Sequence, residues 1–493
     1  MPNGPALVWF RHDLRLEDND ALQAAVHTGR PVLPVFIHDA GTGRETSSGA
    51  ANRWWLHGSL AALEAALAQR GARLLLRRGP AVASLLELAA ETGAGWVGWN
   101  RECAPQSRAN EDVLRSEFAS RGIAVFEGAG QWLFAPEQVR TRSGGPFQVF
   151  TPFWRCCRTM DVARPVGACP AQLHGVGRRP AGVALEELRL RTSLGWADEF
   201  AEGGEPGEGN ARRRLDAFLR ASVDAYDRER DFPARAGTSR LSAALHFGEL
   251  TARQVWAAVE AASAESGVMP RSRGAQVFLD ELGWREFAHH LLWHFPATPA
   301  EPLRAQHAVF PWEPDEASQV AWRTGRTGIP IVDAGMRQLW RTGWMHNRVR
   351  MIVASYFVKH LLQPWTDGAA WFRETLVDAD VANNTLGWQW SAGCGADAAP
   401  YFRVFNPVLQ GEKFDPGGDY VRRWVPELAR VSDRWIHRPW EAAPPVLAEA
   451  GVRLGREYPR PVVEPKAGRE RALRAFADWK AATGAAGKDE VSP

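Results

Sequence analysis

Thirteen residues, Asp378–Trp390 (D-A-D-V-A-N-N-T-L-G-W-Q-W), hold two acids, two asparagines and two indoles. Neither helical nor strand periodicity asks for that mixture. Something must need carboxylates, an amide and flat aromatic rings at one place. A second segment, Glu281–Phe287 (E-L-G-W-R-E-F), puts Glu281 and Trp284 three apart, on one face of a helix. Such a pair suits a nucleobase, with the acid bonding its edge and the indole stacking on its face, although an isolated pair is more often a core Trp beside a solvated Glu. A third segment, Gly343–Met351 (G-W-M-H-N-R-V-R-M), places Asn347 and Met351 on one face. Arg348 and Arg350 point in nearly opposite directions, so one meets solvent or phosphate while the other looks inward. An inward arginine requires a carboxylate, and the first stretch offers Asp378 and Asp380. His346 reads as structural, with no metal-ligand set around it.

Two weaker segments remain. Gly237–Ser242 (G-T-S-R-L-S) precedes an apolar helical run, where hydroxyls and free amides suit phosphate; a helix cap is the commoner use of a T-S pair. In Ala396–Pro407 (A-D-A-A-P-Y-F-R-V-F-N-P), Arg403 lies among aromatics, as a contact to a DNA phosphate or as a surface arginine.

The elements that position these residues fall into two kinds. Apolar runs at Ala6–Phe10, Val32–Ile37, Arg73–Leu76, Gly95–Trp99 and Ile123–Phe126 alternate with amphipathic stretches such as Arg53–Gln69 and Ala81–Thr92. This predicts a Rossmann-like α/β domain with a parallel sheet over 1–134. No G-x-G-x-x-G follows the first strand and no P-loop occurs. Pro, Gly and Arg crowd together over 135–209, predicting a connector on the surface. Helical periodicity dominates 210–480, and residues 481–493 predict a disordered tail.

The chain has 493 residues, enough for two or three domains, and 45% of them are apolar. No apolar run approaches a membrane span, and the opening residues, without a charged n-region or a cleavable apolar h-region, argue against export. Five cysteines without a C-x-x-C pair fit a reducing cytoplasm. The net charge of +2 excludes a polybasic nucleic-acid binder but not a local basic face. Of 59 basic residues only five are lysine, a bias that a GC-rich genome produces without selection for phosphate binding. There are 23 Trp against 5 Tyr; indoles fill cores, stack on bases and carry electrons.

Taken in order, W-F-R-H-D-L-R-L-E-D-N (Trp9–Asn19), G-T-S-R-L-S, W-R-E-F, G-W-M-H-N-R-V-R-M, the Asp378–Trp390 stretch and D-A-A-P-Y-F-R-V-F-N-P resemble the photolyase/cryptochrome flavoproteins nearly end to end. The resemblance implies an N-terminal α/β antenna domain, a connector and an all-α C-terminal domain holding FAD. By that likeness Asp378 pairs with Arg350 beside the isoalloxazine, Asp380 accepts from its N3–H, and Asn384 sits opposite N5, with Ala379 between the two acids. Asn383 falls at a variable position. Tyr226, Thr238, Ser239, Arg240, Leu241 and Ser242 match the hold on the phosphates and ribityl chain. Phe278, Arg285, Trp344 and Asn347 match further pocket positions. Trp388, Trp365 and Trp312 match an electron relay from the flavin to the surface.

The same family repairs DNA or signals. Glu281, Trp284, Met351 and Trp390 match the residues around a flipped cyclobutane pyrimidine dimer, and Asn384 stands where plant cryptochromes carry Asp. Enzymes acting on (6-4) photoproducts use histidines where this chain reads N-R-V-R-M. Tyr420–Pro461 resembles the plant cryptochromes, but no long signalling extension is expected. The resemblance therefore implies light-driven dimer repair in a bacterial branch near the plant cryptochromes, by a cytoplasmic monomer. Reduced FAD would pass an electron to the lesion and recover it, a chemistry that belongs to the cofactor. The lesion must be extruded, and Arg230, Glu281, Trp284, Asn347, Arg348, Arg403 and Gln410 match DNA contacts. A blue-light receptor and a photolyase for another lesion are the alternatives. For the antenna, Gln106 and Ser107 stand where one folate pattern has an Asn-Glu pair. Kinship with the plant-like branch favours methenyltetrahydrofolate, held differently, over a deazaflavin.

Overall fold

Five strands, β1 (Ala6–Phe10), β2 (Val32–His38), β3 (Leu75–Arg78), β4 (Trp96–Asn100) and β5 (Ala124–Gly128), form one parallel sheet in the order β3-β2-β1-β4-β5. The computed structural model describes residues 4–39, 49–191, 196–197, 200, 203–265, 271–398 and 403–484. In the register of the sheet Ala6 stands against both Val32 and Trp96. The central strands β1 and β4 are buried on both faces, which is why they read as unbroken apolar runs rather than alternations. Helices α1 (Asp20–His27), α2 (Ala50–Ala68), α3 (Ala81–Thr92) and α4 (Pro105–Ser120) connect the strands.

The Trp9–Asn19 motif turns out to be a joint between the two halves. Asn19 caps α1, accepting from the Leu22 amide at 3.1 Å. Asn100, at the end of β4, donates to Asp13 at 2.7 Å and to Asn19 at 2.9 Å. Across the joint, Arg253 donates to Asp18 at 2.7 Å and to Asp20 at 3.0 Å. The Leu14 amide donates to the Phe247 carbonyl at 3.0 Å, and Arg15 to that of Gly248 at 3.1 Å. The buried Arg253 is thus paired with two acids, as burial of charge requires, while Arg15 is held by backbone carbonyls.

The expected connector over 135–209 is not wholly superficial. Residues Phe150–Cys157 form α5, with Phe153, Trp154 and Cys157 buried. Pro and Gly composition reports turns, not the few rings that anchor a segment. The helical half follows: α6 (Glu208–Ala221), α7 (Tyr226–Glu229), α8 (Ser242–His246), α9 (Ala252–Glu265), α10 (Arg273–His294), α11 (Glu316–Arg323), α12 (Pro330–Thr342), α13 (Asn347–Ser355), α14 (Trp365–Thr375), α15 (Val381–Ala392), α16 (Pro407–Phe414), α17 (Asp419–Trp424), α18 (Pro444–Glu449) and α19 (Pro465–Thr483). Between α13 and α14 a π-helical turn runs over Tyr356–His360. Helix α15 packs against α10, α13 and α14, so the residues of the first stretch sit at the centre of the bundle. Of the tail expected over 481–493, residues 481–483 instead close α19, and 485–493 lie outside the described residues.

Candidate functional site

A cavity of about 560 Å³ opens in the helical half, within the size range of cofactor clefts. Every residue matched to the flavin pocket lines it, from Tyr226, Thr238, Ser239, Arg240, Leu241 and Ser242 through Phe278, Arg285, Trp344 and Asn347 to Arg350, Asp378, Ala379, Asp380 and Asn384. Four helices supply most of this wall. On α10 the spacing of Phe278, Glu281 and Arg285 puts them on one face. On α15 the residues Asn384, Gly387 and Ser391 follow Asp380 along the same side.

Arg350 looks inward and meets the buried Asp378, with Nη2 at 3.0 and 2.8 Å from its two oxygens. Its Nε donates to the Met345 carbonyl at 2.8 Å, which fixes the fork. Asp380 caps α15, accepting from the Asn383 amide at 2.8 Å and from its side chain at 2.7 Å. The other Asp380 oxygen lies 3.5 Å from His289 Nε2 and 3.7 Å from His246 Nδ1. Burial alone would raise the Asp380 pKa, but the two imidazoles hold it well below the usual carboxylate range, so it stays an ionised acceptor at neutral pH. Burial pushes the pKa of His246 and of His289 down, and the Asp380 carboxylate works against that shift. Asn384, in the cavity wall, donates its side-chain amide to the Ala369 carbonyl at 3.0 Å. Gly387 has open space where a Cβ would stand, so a flat ring can approach the backbone of α15 there. Arg240 adopts a left-handed φ of 51° and lies over the Trp344 ring at 4.5 Å. A non-glycine residue held there marks a site shaped by more than local preference.

Glu281, Trp284, Met351 and Trp390 line the same cavity. Arg230 Nη1 donates to Glu281 at 2.5 Å. Arg348, which points away from Arg350, donates to Asp231 at 2.8 and 3.3 Å and lies over the Phe414 ring at 4.4 Å. The two arginines matched to DNA contacts at the cavity are therefore each paired with an acid. Arg403 is exposed and Gln410 is half-buried on α16, and neither lines the cavity; residues 399–402 of that segment lie outside the described residues. His346 caps α13 through its Nδ1, accepting from the Arg348 amide at 3.2 Å.

Of the three indoles matched to an electron relay only Trp388 reaches the cavity. Its ring neighbours are Phe372, Phe357 and Trp322, with centroids at 5.0, 5.8 and 6.0 Å. Its indole N–H is buried without a hydrogen-bond partner. Trp365 is buried in the same core, and the half-buried Trp312 packs against it. The sequence reading missed His246, although its spacing of four from Ser242 puts it on the same helix face. It also passed over Asn383, which braces Asp380. In the α/β domain Gln106 bonds Asn110 at 3.1 Å and Ser107 bonds Glu102 at 2.6 Å, so both side chains have partners within the chain.

Comparison with known proteins gives this arrangement its family. Residues 278–478 match the FAD binding domain of DNA photolyase, and residues 6–171 match the DNA photolyase family. A deoxyribodipyrimidine photo-lyase of Agrobacterium fabrum is 46% identical over 98% of this chain and 100% of its own length. Cryptochrome-1 of Arabidopsis thaliana is 38% identical over 98% of this chain and 72% of its own. The crystal structure of a bacterial class III photolyase from Agrobacterium tumefaciens superposes with a TM-score of 0.93 at 46% identity, covering 98% of both chains. The chain belongs to the photolyase/cryptochrome family, with the family's α/β domain and helical FAD-binding domain.

The residues present fit the cofactor of that family. A dinucleotide with a flat tricyclic ring needs an acceptor for a ring N–H, a cation–acid pair at its edge, open backbone under its plane, and hydroxyls for its phosphates. Asp380, Arg350 with Asp378, Gly387, and Thr238, Ser239 and Ser242 supply these in turn. Among the described residues no group of His, Cys, Asp and Glu is arranged to hold a metal ion, and no helix is long and apolar enough to cross a membrane.

Proposed function

We propose that the protein binds FAD in this cavity and repairs cyclobutane pyrimidine dimers in DNA under blue or near-ultraviolet light. The observation that carries the reading is the wall shared by two constellations. The acid, indoles and thioether suited to a flipped dimer (Glu281, Trp284, Trp390, Met351) line the same 560 Å³ space as the flavin set. When bound and reduced, FAD supplies one electron to the excited-state reaction and takes it back after the cyclobutane ring opens.

The chain's own part is positioning. Asp380 would hold the ring edge as an acceptor, and Asn384 would offer its amide to the ring. Arg350 and Asp378 hold a paired charge at the rim. Glu281 bonds the edge of the flipped pyrimidine while Trp284 and Trp390 stack against it and help exclude water. Arg230, Arg348 and Arg403, with Asn347 and Gln410, meet the DNA, most of them through its phosphates. Trp388, Trp365 and Trp312 would relay electrons inward from an external reductant at the surface to an oxidised cofactor.

In this assignment residues 1–134 are the antenna domain, 135–209 the connector and 210–480 the catalytic domain, in a monomeric cytoplasmic enzyme. For the antenna we favour methenyltetrahydrofolate over a deazaflavin, because Tyr420–Pro461 resembles the plant cryptochromes. The likeness to Cryptochrome-1 also supports a second reading, a light receptor without repair. Binding in the dark separates the two. Repair requires at least about tenfold tighter binding of ultraviolet-irradiated than of untreated oligothymidine, a difference of ~1.4 kcal/mol. Equal binding would favour the receptor.

A further inference from the structure

The rings of Phe150 and Trp284 lie nearly parallel, 10° apart, with centroids separated by 3.8 Å. Trp284 lines the cavity and Phe150 does not, so Phe150 covers the indole face turned away from it. Only the other face is left for a ligand. The stack continues behind Phe150, where Trp154 lies at 15° with centroids 6.4 Å apart. Trp154 is itself fixed: its indole N–H donates to Asp280 at 2.8 Å. Gly283 lets α10 sit flush against it, since any Cβ there would come within 2.6 Å of the indole. The Phe150 backbone is tied as well, its amide donating to Asp397 at 3.4 Å while the Asp397 amide donates to the Gln148 carbonyl at 3.1 Å.

We infer that Phe150 is a positioning residue for lesion recognition, clamping the Trp284 indole from behind so that it presents one rigid face to the flipped pyrimidine dimer. The inference rests on the dimer-repair reading. Stacking depends on ring geometry as well as on buried area, so an aliphatic side chain of similar volume fills the space without holding the plane. If Phe150 were only core, volume alone would matter.

The test compares FAD-loaded wild type, Phe150→Met and Phe150→Tyr. It measures FAD content and dark binding of irradiated and untreated oligothymidine at one salt concentration. Phe150→Met should keep its FAD and its affinity for untreated DNA, and lose about 3- to 10-fold in affinity for irradiated DNA. Phe150→Tyr should restore the wild-type ratio. Wild-type discrimination in Phe150→Met would overturn the inference, as would a Tyr variant as weak as Met. Loss of FAD from Phe150→Met would also overturn it, by placing Phe150 in the fold rather than in the platform. A wild type that does not discriminate irradiated DNA sinks the repair reading and this inference with it, and the wild-type arm alone reveals that case.

Discussion

The Glu281 carboxylate accepts from Arg230 Nη1 at 2.5 Å, across 51 residues of sequence, with both side chains partly exposed. The acid proposed to read the flipped base is thus engaged by the arginine proposed to hold a phosphate. Lesion entry must exchange this pair for two new ones: base edge to Glu281, phosphate to Arg230. Glu281→Gln removes the charge-assisted bond while keeping the shape. Hydrogen bonds to charged groups contribute ~1.5–3 kcal/mol, so affinity for irradiated DNA should fall about tenfold or more with FAD content unchanged. Dark binding titrations check this, and loss of FAD in the variant would contradict the assigned role.

Arg348 is held by Asp231 in the same way. Asp231→Asn frees the guanidinium for phosphate without touching the cavity wall. Untreated DNA should then bind a few-fold tighter at low salt, and the preference for irradiated DNA should narrow. By contrast Arg403→Ala should weaken both DNAs alike and reduce the slope of log affinity against log salt by about 1.

Asp378 is buried against Arg350, which is about a quarter exposed. Asp378→Asn leaves a partly buried cation unpaired. Fully buried cases cost ~3–5 kcal/mol; the exposure of Arg350 lowers the expectation here to about 2–3 kcal/mol. Urea unfolding and FAD retention should both report the loss.

Glu286 sets a pH dependence. Burial pushes its pKa up to about 7, although Arg285 and the Leu133 and Phe134 amides bond its charged form. With the folded value raised above the unfolded one, the native state holds the proton more tightly. Its contribution to stability is therefore complete below about pH 4.5 and is lost as pH rises toward 7. Glu286→Gln should flatten the fall in unfolding free energy between pH 5 and 7, an effect of up to about 3 kcal/mol. Parallel urea titrations of the two proteins across that range measure it.

Much of the fold was legible because it is periodic. Strand β1 falls at Ala6–Phe10 and α3 at Ala81–Thr92, as the sequence predicts. Strand β3 runs over Leu75–Arg78, two residues beyond the expected Arg73–Leu76, because its polar end is held by pairing with β2 rather than by apolar pattern. That one of Arg348 and Arg350 turns inward was readable from their relative rotation, but that it is Arg350 came only from the family resemblance. The partners of Glu281, Trp284 and Asp380 were not readable. Arg230, Phe150 and His289 come from other elements, and no local period records which rings or charges meet across a bundle. Phe150 was further hidden in a segment whose prolines and glycines read as loop.

The most direct measurement is repair itself. The purified protein, FAD-loaded and reduced without oxygen, is mixed with ultraviolet-irradiated oligothymidine, and absorbance at the thymine band is followed in blue light and in the dark. Recovery of absorbance in the light alone is the expected result. No recovery, with FAD bound and reduced, would contradict dimer repair and leave the light receptor or a different lesion.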